Sequence, residues 1–287
     1  MPVLCVLFAL FGASSNALGT VLQRKAALNV PATRSLQPRL IADLARQPVW
    51  AAGIAAVVAA AGLQALALAT GPLALAQPVF VLELPLALMI GTRVLRRRIP
   101  TAGWWAIGSI ALGLAVVLIA AHPHGGNTHA PMARWVPTTA LCLGAVAALV
   151  AAAASRPPGP GRAACLGSAS AVANALTAAF MKSAAGTLSA HGLSAFLTAW
   201  QTYGFALCGV LAILLLENAL QAGSLAASQP ALTLGDALIS LVLGVALYDE
   251  HVRTGWWLLP TAAGLALIVV GTVRLARAVP RIRAAPS

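Results

Sequence analysis

Glu83 and Asp236 are carboxylic acids near the middle of long apolar segments, which read Ala76-Gln77-Pro78-Val79-Phe80-Val81-Leu82-Glu83 and Ser228-Gln229-Pro230-Ala231-Leu232-Thr233-Leu234-Gly235-Asp236. A carboxylate at bilayer depth costs about 3 kcal/mol on insertion scales, so each is expected to face a cavity or a partner. Acids at that depth suit the binding of a cation or the handling of a proton. Residues at i, i+3, i+4 and i+7 share a helix face, which groups Gln229, Thr233, Asp236 and Ser240 in one polar stripe. Asn16, Thr20 and Gln23 form a second stripe, and Ser170, Asn174 and Thr177 a third. Glu83 instead shares its face with Ala76, Phe80, Ala87 and Ile90, a dry setting that favours the neutral acid over the carboxylate. Asp236 is therefore expected to contact substrate and Glu83 to handle a proton. Gln77, Gln229, Thr233, Asn16 and Asn174 would complete the site. Pro78 and Pro230 each remove a backbone hydrogen bond, which frees a carbonyl about one turn earlier and makes both candidate hinges.

Other polar residues carry weaker signals. Lys182, at the end of an apolar segment, is expected to snorkel, with a salt bridge to an intramembrane carboxylate as its alternative role. Glu217 and Gln221, one turn apart, read as an interfacial pair. The loop His122-Pro123-His124-Gly125-Gly126-Asn127-Thr128-His129 holds three histidines and is expected to be solvated, since a fixed metal site needs ordered geometry. Cys5, Cys142, Cys165 and Cys208 lack CxxC or CxxH spacing and read as small buried hydrophobes. No metal site is assigned and no cofactor is expected.

The elements that must position these groups follow from composition. Charged residues make up 8% of the chain and hydrophobic ones 60%, with a mean hydropathy of +0.88. A soluble domain carries about 25% charged residues, so this is an all-α integral membrane protein. Apolar segments near 2–22, 49–70, 73–92, 102–121, 135–154, 164–184, 195–216, 224–247 and 255–275 predict about nine transmembrane helices. The first opens without the basic region of a secretory signal and is expected to belong to the fold. Gly71-Pro72 forces a tight connection, and Arg156 through Arg162, rich in Pro and Gly, is expected to be a non-helical linker. Trp104, Trp105, Trp256 and Trp257 sit at helix starts, as interfacial anchors do.

The net charge of +12 comes from basic residues clustered between apolar segments rather than along a groove, which argues against a nucleic-acid partner. With nine spans, the clusters at Arg24 to Arg46, Arg93 to Arg98, Arg156 and Arg162, and Arg274 to Arg283 fall on one side. Only Arg134 and Arg253, with Lys182 near a helix end, fall on the other. The positive-inside rule then places the N-terminus outside and the C-terminus in the cytoplasm. The Ala-rich, Arg-biased composition fits the cell membrane of a bacterium with a GC-rich genome.

An offset of 152 residues aligns Gly71 with Gly223, Gln77-Pro78 with Gln229-Pro230, and Gly103-Trp104-Trp105 with Gly255-Trp256-Trp257. An offset of 158 aligns Asn16-Ala17-Leu18 with Asn174-Ala175-Leu176, and Arg24 with Lys182. Spans one to four would thus repeat as spans six to nine in inverted topology, the arrangement that places carrier sites near the midplane. The expected organisation is a first four-helix repeat over 1–121, a linking helix with loops over 122–162, a second repeat over 163–275 and a basic cytoplasmic tail over 276–287.

In span order the chain resembles the drug/metabolite transporter (EamA-like) superfamily, and in particular its nine-span branch resembling NIPA-type magnesium transporters. The resemblance rests on Ala17-Leu18-Gly19-Thr20-Val21-Leu22-Gln23-Arg24-Lys25-Ala26 and its echo from Asn174-Ala175-Leu176 to Lys182. It rests also on the small residues before Pro78 and Pro230, and on Tyr248-Asp249-Glu250, where that superfamily commonly places a Glu. It implies a secondary carrier working by alternating access, not an enzyme. The chain departs from the pattern at Arg98, where a helix-ending Glu is common. Glu83 and Asp236 are not part of the magnesium-transporter pattern, and the first span lacks the acid of the small multidrug-resistance carriers.

The expected partners are membrane lipids, a small-molecule or cation substrate, and a second copy of the chain in a homodimer. A magnesium or other divalent-cation transporter is the alternative, because two carboxylates and Gln side chains suit a hydrated hard cation. A non-transporting membrane subunit is a further alternative. So is an intramembrane aspartyl protease, although Thr233-Leu234-Gly235-Asp236 lacks the first Gly of a GxGD motif.

Overall fold

Runs of Ala and Leu, the strongest helix formers, leave helices as the way for this chain to satisfy its backbone in an apolar medium. The computed structural model describes the backbone of residues 2–28, 47–94, 101–222 and 225–283. Its helices are α1 (Pro2–Leu28), α2 (Pro48–Thr70), α3 (Leu73–Phe80), α4 (Glu83–Val94), α5 (Thr101–Ala121), α6 (Met132–Ala154), α7 (Pro160–Thr198), α8 (Trp200–Ala222), α9 (Leu225–Tyr248) and α10 (Leu258–Arg283). Two-residue strands β1 (His124–Gly125) and β2 (Glu250–His251) pair antiparallel, with His124 opposite His251 and Gly125 opposite Glu250. Among the described residues, eight helical segments are long and apolar enough to cross a membrane, and Trp200–Leu216 is a shorter apolar helix. The protein is an all-α, multi-pass membrane protein.

Several elements differ from their sequence reading. Segment 73–92 is not one helix. Val81 N–H donates to the Pro78 carbonyl at 3.2 Å and Leu82 N–H to that of Val79 at 3.1 Å. These i→i+3 bonds tighten the end of α3 and part it from α4. The interruption thus follows Pro78 by one turn, and Glu83 opens α4, where the helix dipole suits a carboxylate. Ala76, Phe80 and Glu83 are thus joined through a tightened turn rather than along one regular α-helix. Segment 164–184 is longer than expected, as α7 starts at Pro160 and keeps helical dihedrals up to the break at Gly192 (φ 78°, ψ −175°). The linker expected over 156–162 is correspondingly shorter, since Pro160 suits the first helical position, where its missing N–H is harmless.

Packing follows the order of the chain. α1 lies on α2 and on both pieces of the broken span. α7 lies on α6, α8 and α9, and α5 pairs with α10. Across the molecule α3 meets α9, and α2 meets α7. The α5–α10 contact is close because it is built on glycine. A Cβ on Gly113 would lie 2.6 Å from the Gly264 carbonyl, and one on Gly264 would lie 2.8 Å from that of Gly113. Small residues that let helix backbones touch are what holds helices together in lipid, where the hydrophobic effect offers little. Outward-facing side chains such as Leu141, Leu207, Ile213 and Val242 are exposed, as expected of surfaces that lipid covers. Trp104, Trp105, Trp256 and Trp257 are exposed too.

Candidate functional site

The two acids occupy comparable surroundings. Asn16 of α1 is a polar neighbour of the Glu83 carboxyl. Asn174 of α7 and Ser240 of α9 are polar neighbours of Asp236. Each acid is thus met by the Asn of its own half, and Glu83 has a polar neighbour that its sequence surroundings did not reveal. The two sites are not equally supplied. Asp236 Oδ1 and Ser240 Oγ are buried with no hydrogen-bond partner, although buried polar atoms are ordinarily paired. Asn174 is exposed, while its helix neighbours Ser170, Ala171, Ala173, Ala175 and Ala178 are buried. Asn174 is thus the exposed polar position on this stretch of an otherwise deeply packed helix. Thr233, one turn before Asp236 on α9, is partly buried.

Gln77 takes a different position. It is fully buried on α3, with its Nε2 unpartnered. The side chains of Gln229, Pro230, Arg24, Glu217 and Gln221 lie outside the described residues, as do Arg34, Arg39, Arg46, the Arg96–Arg98 cluster and residues 284–287. The hinge expected at Pro230 therefore has no described counterpart to the break after Pro78. Among the described residues no group of three or more His, Cys, Asp and Glu is placed to hold a metal ion.

A second polar cluster lies where α7, α9 and the start of α3 meet. Lys182 and Glu250 form an ion pair in which both side chains are almost wholly buried, at 3% and 0% exposure. Snorkelling is therefore not what Lys182 does. Its ammonium turns inward because a carboxylate and the face of the Tyr248 ring, 4.6 Å from Nζ to the centroid, both lie within reach. Glu250 is held from two sides. Leu73 N–H donates to its Oε1 at 2.6 Å and Ala74 N–H to its Oε2 at 2.9 Å. These amides are orphan donors at the start of α3, just after Gly71-Pro72, so Glu250 caps a helix that belongs to the other half of the chain.

The cluster is enclosed by a shared wall. Tyr248 OH donates to the Ala179 carbonyl at 2.5 Å and lies 3.0 Å from Ser183 Oγ. Trp135 stacks on Phe180 with centroids 4.6 Å apart, and Trp200 meets both rings edge-on. Replacing Tyr248 by Phe keeps the ring beside Lys182 and removes only the hydroxyl. The expected loss is about 1 kcal/mol, read by SDS unfolding of the purified protein. A loss near zero would show that the two oxygens partner the hydroxyl too weakly to count.

The connector after α5 closes over this cluster. Gly125 and Glu250 pair in the two-strand ribbon. Asn127 N–H donates to the Tyr248 carbonyl at 2.7 Å, and Arg253 N–H to that of Ala121 at 2.9 Å. Arg134 pairs with Asp249 at 2.6 Å on the exposed side. His122 and His124 are exposed, and His124 stacks on His251 at 5.8 Å. The expected solvated loop is thus tied to the turn after α9. Below it lies a cavity of about 400 Å³ lined by residues 68–72, Leu75, Leu118, residues 122–128 and Lys182.

Sequence reasoning offered a salt bridge to an intramembrane carboxylate as the alternative role of Lys182, but it did not name Glu250 as the partner or find the cap on α3. The cluster's signals were Lys182 aligned with Arg24, and a Glu just past the end of α9. Nothing local joins residues 68 positions apart, however, and the third participant is backbone, which carries no residue signature. Comparison with known proteins adds a relative of unassigned role. The chain is 29% identical over 278 residues to an uncharacterized protein of Corynebacterium glutamicum, covering 96% of this chain and 95% of that one. No family model matches the chain. No solved structure matches it.

Proposed function

We propose that the protein is a secondary transporter that moves a small cationic or amine-bearing substrate by alternating access, with coupling to protons. The observation that carries this reading is the pair of Asn–acid sites within apolar spans, one in each half. One of them holds a carboxylate oxygen without a partner beside an exposed amide. A buried acceptor beside an exposed amide suits a cation that arrives from the aqueous side. Asp236, Asn174, Ser240 and Thr233 would form the substrate site. Glu83 and Asn16, at the break between α3 and α4, would carry the proton. The helix interruption supports this arrangement, because discontinuous helices at midmembrane are how many carriers expose polar groups.

The same reading takes the fold as nine spans, with Trp200–Leu216 completing the eight long segments, in two inverted repeats of four helices. Helix contacts support it. α1 with α2 and α1 with the broken span have counterparts in α7 with α8 and α7 with α9. The Lys/Arg distribution orients the termini, with the N-terminus outside and the C-terminus in the cytoplasm. The membrane is then the cell membrane of a bacterium.

Reconstituted proteoliposomes test the assignment. Loaded with a pH-sensitive dye, they should report proton movement on addition of an amine such as putrescine. Asp236→Asn should cut the flux at least tenfold, and Glu83→Gln should uncouple it from the pH gradient. Flux that stays pH-sensitive and undiminished in both variants would sink the reading. A divalent cation is the second reading. Two carboxylates on separate elements leave a Mg²⁺ ion most of its water shell, which that ion tolerates. Magnesium in place of putrescine in the same assay separates the two.

A further inference from the structure

The Lys182–Glu250 cluster does more than fill a gap between helices. Three segments distant in the chain converge on it: the start of α3, the middle of α7 and the turn after α9. It sits between the cavity under the 122–131 connector and the deeper residues of α3, of which Leu73, Ala74, Ala76 and Gln77 are all buried. Asn174, two turns before Lys182 on α7, is by contrast exposed. Glu250 is thus buried at one level of α7, while a polar residue two turns away is not.

We propose that Glu250, paired with Lys182 and capping α3, is the latch of the outer gate, and that the structure shows the latch closed. This rests on the transporter reading above and names the device that controls entry to its site. The chemistry suits a latch. A dry ion pair holds only while every donor and acceptor around it is satisfied, as Leu73, Ala74, Lys182 and Tyr248 satisfy this one. When water enters, hydration replaces those contacts, so the pair has two acceptable environments and little between them. The ribbon on β1 and β2 couples the latch to the connector, because Glu250 belongs to the ribbon itself. The connector is held in turn by Asp249, which adopts φ 53° and pairs with Arg134.

Gly244 supplies a way to spring the latch without removing a charge. A Cβ there would collide with the Glu250 carboxyl, Oε2 first and then Cδ at 2.9 Å, and would meet the Ala74 Cβ at an ordinary 3.4 Å. Cys5 supplies a native reporter. It is fully buried against Gly71, which lines the cavity. In nanodiscs, where both faces meet solvent, the full chain with Cys142, Cys165 and Cys208 replaced by Ala would be labelled with a hydrophilic maleimide. Gly244→Ala and Glu250→Gln should each raise the labelling rate of Cys5 about tenfold. In a chain without native cysteines, the same two substitutions should lower the labelling rate of Asn174→Cys severalfold, because the two openings alternate. Protection of Cys5 unchanged in both variants would overturn the proposal. So would a rise at both reporters together, which would make the cluster a packing element of the fold. Labelling needs neither substrate nor turnover, so loss of the Glu83 and Asp236 assignment would show in the flux assay and not here.

Discussion

Lys182→Met should lower the unfolding free energy by about 3–5 kcal/mol, the range expected when one partner of a buried ion pair is removed. The remaining Glu250 would keep its two backbone donors from α3 but lose the cation that balances it, while its side chain stays buried. Glu250→Gln should cost a similar amount, because it leaves the ammonium buried among neutral groups. The double variant Lys182→Met with Glu250→Gln should be milder than the sum. A Gln carbonyl still accepts from Leu73 or Ala74, and Met occupies the volume of the lysine stem without a charge. A total of about 1–2 kcal/mol is expected for the pair of changes, consistent with imperfect hydrogen bonding alone. SDS unfolding of the four proteins gives the cycle, and a coupling of at least about 4 kcal/mol is the expected result. Losses that add to within about 0.5 kcal/mol would mean that the two side chains do not depend on each other.

Gly264→Val should be comparably damaging through a different mechanism. The new Cβ would lie 2.8 Å from the Gly113 carbonyl and 3.0 Å from the Val117 amide nitrogen, and backbone cannot swing aside as a side-chain end can. α5 and α10 would have to separate, with a loss of about 3 kcal/mol from the whole contact. Gly108→Ala, on the same helix as Gly113 but with nothing within 4 Å of its Cβ, is the control. It should be neutral or slightly stabilising, since Ala is about 1 kcal/mol the better helix former. Equal losses at Gly264 and Gly108 would show that helix propensity, not close approach, governs this region.

The path from sequence to site is uneven for physical reasons. Helices, their apolar character and the tight turn at Gly71-Pro72 follow from composition and local stereochemistry, and the structure has them. The interruption after Pro78 was legible in outline, because a proline in a helix must disturb it, but its position one turn later is set by packing of α3 against α1 and α9. The apolar face assigned to Glu83 assumed a regular helix, which the tightened turn at Val81 and Leu82 interrupts, and a reading of one helix could not include Asn16 of α1. Asn16 and Asn174 were singled out by the alignment of the two halves. That they meet Glu83 and Asp236 depends on how α1 and α7 cross the broken span and α9.

Lys182 shows the limit most clearly. From sequence alone, a lysine at the end of an apolar helix has water within reach of its long side chain, so snorkelling was the natural reading. The tertiary structure places Glu250, the Tyr248 ring and two uncapped amides of α3 closer than that water. The lysine turns inward as a result. The sequence by itself determined the class of protein, the runs that form helices and the identity of the acids within apolar spans, because these depend on composition and on neighbours a few residues away. Only the tertiary structure decided which acid carries a buried cation and which keeps an unpartnered oxygen. That choice depends on long-range packing of backbone groups, and backbone amides read the same at every position in the chain.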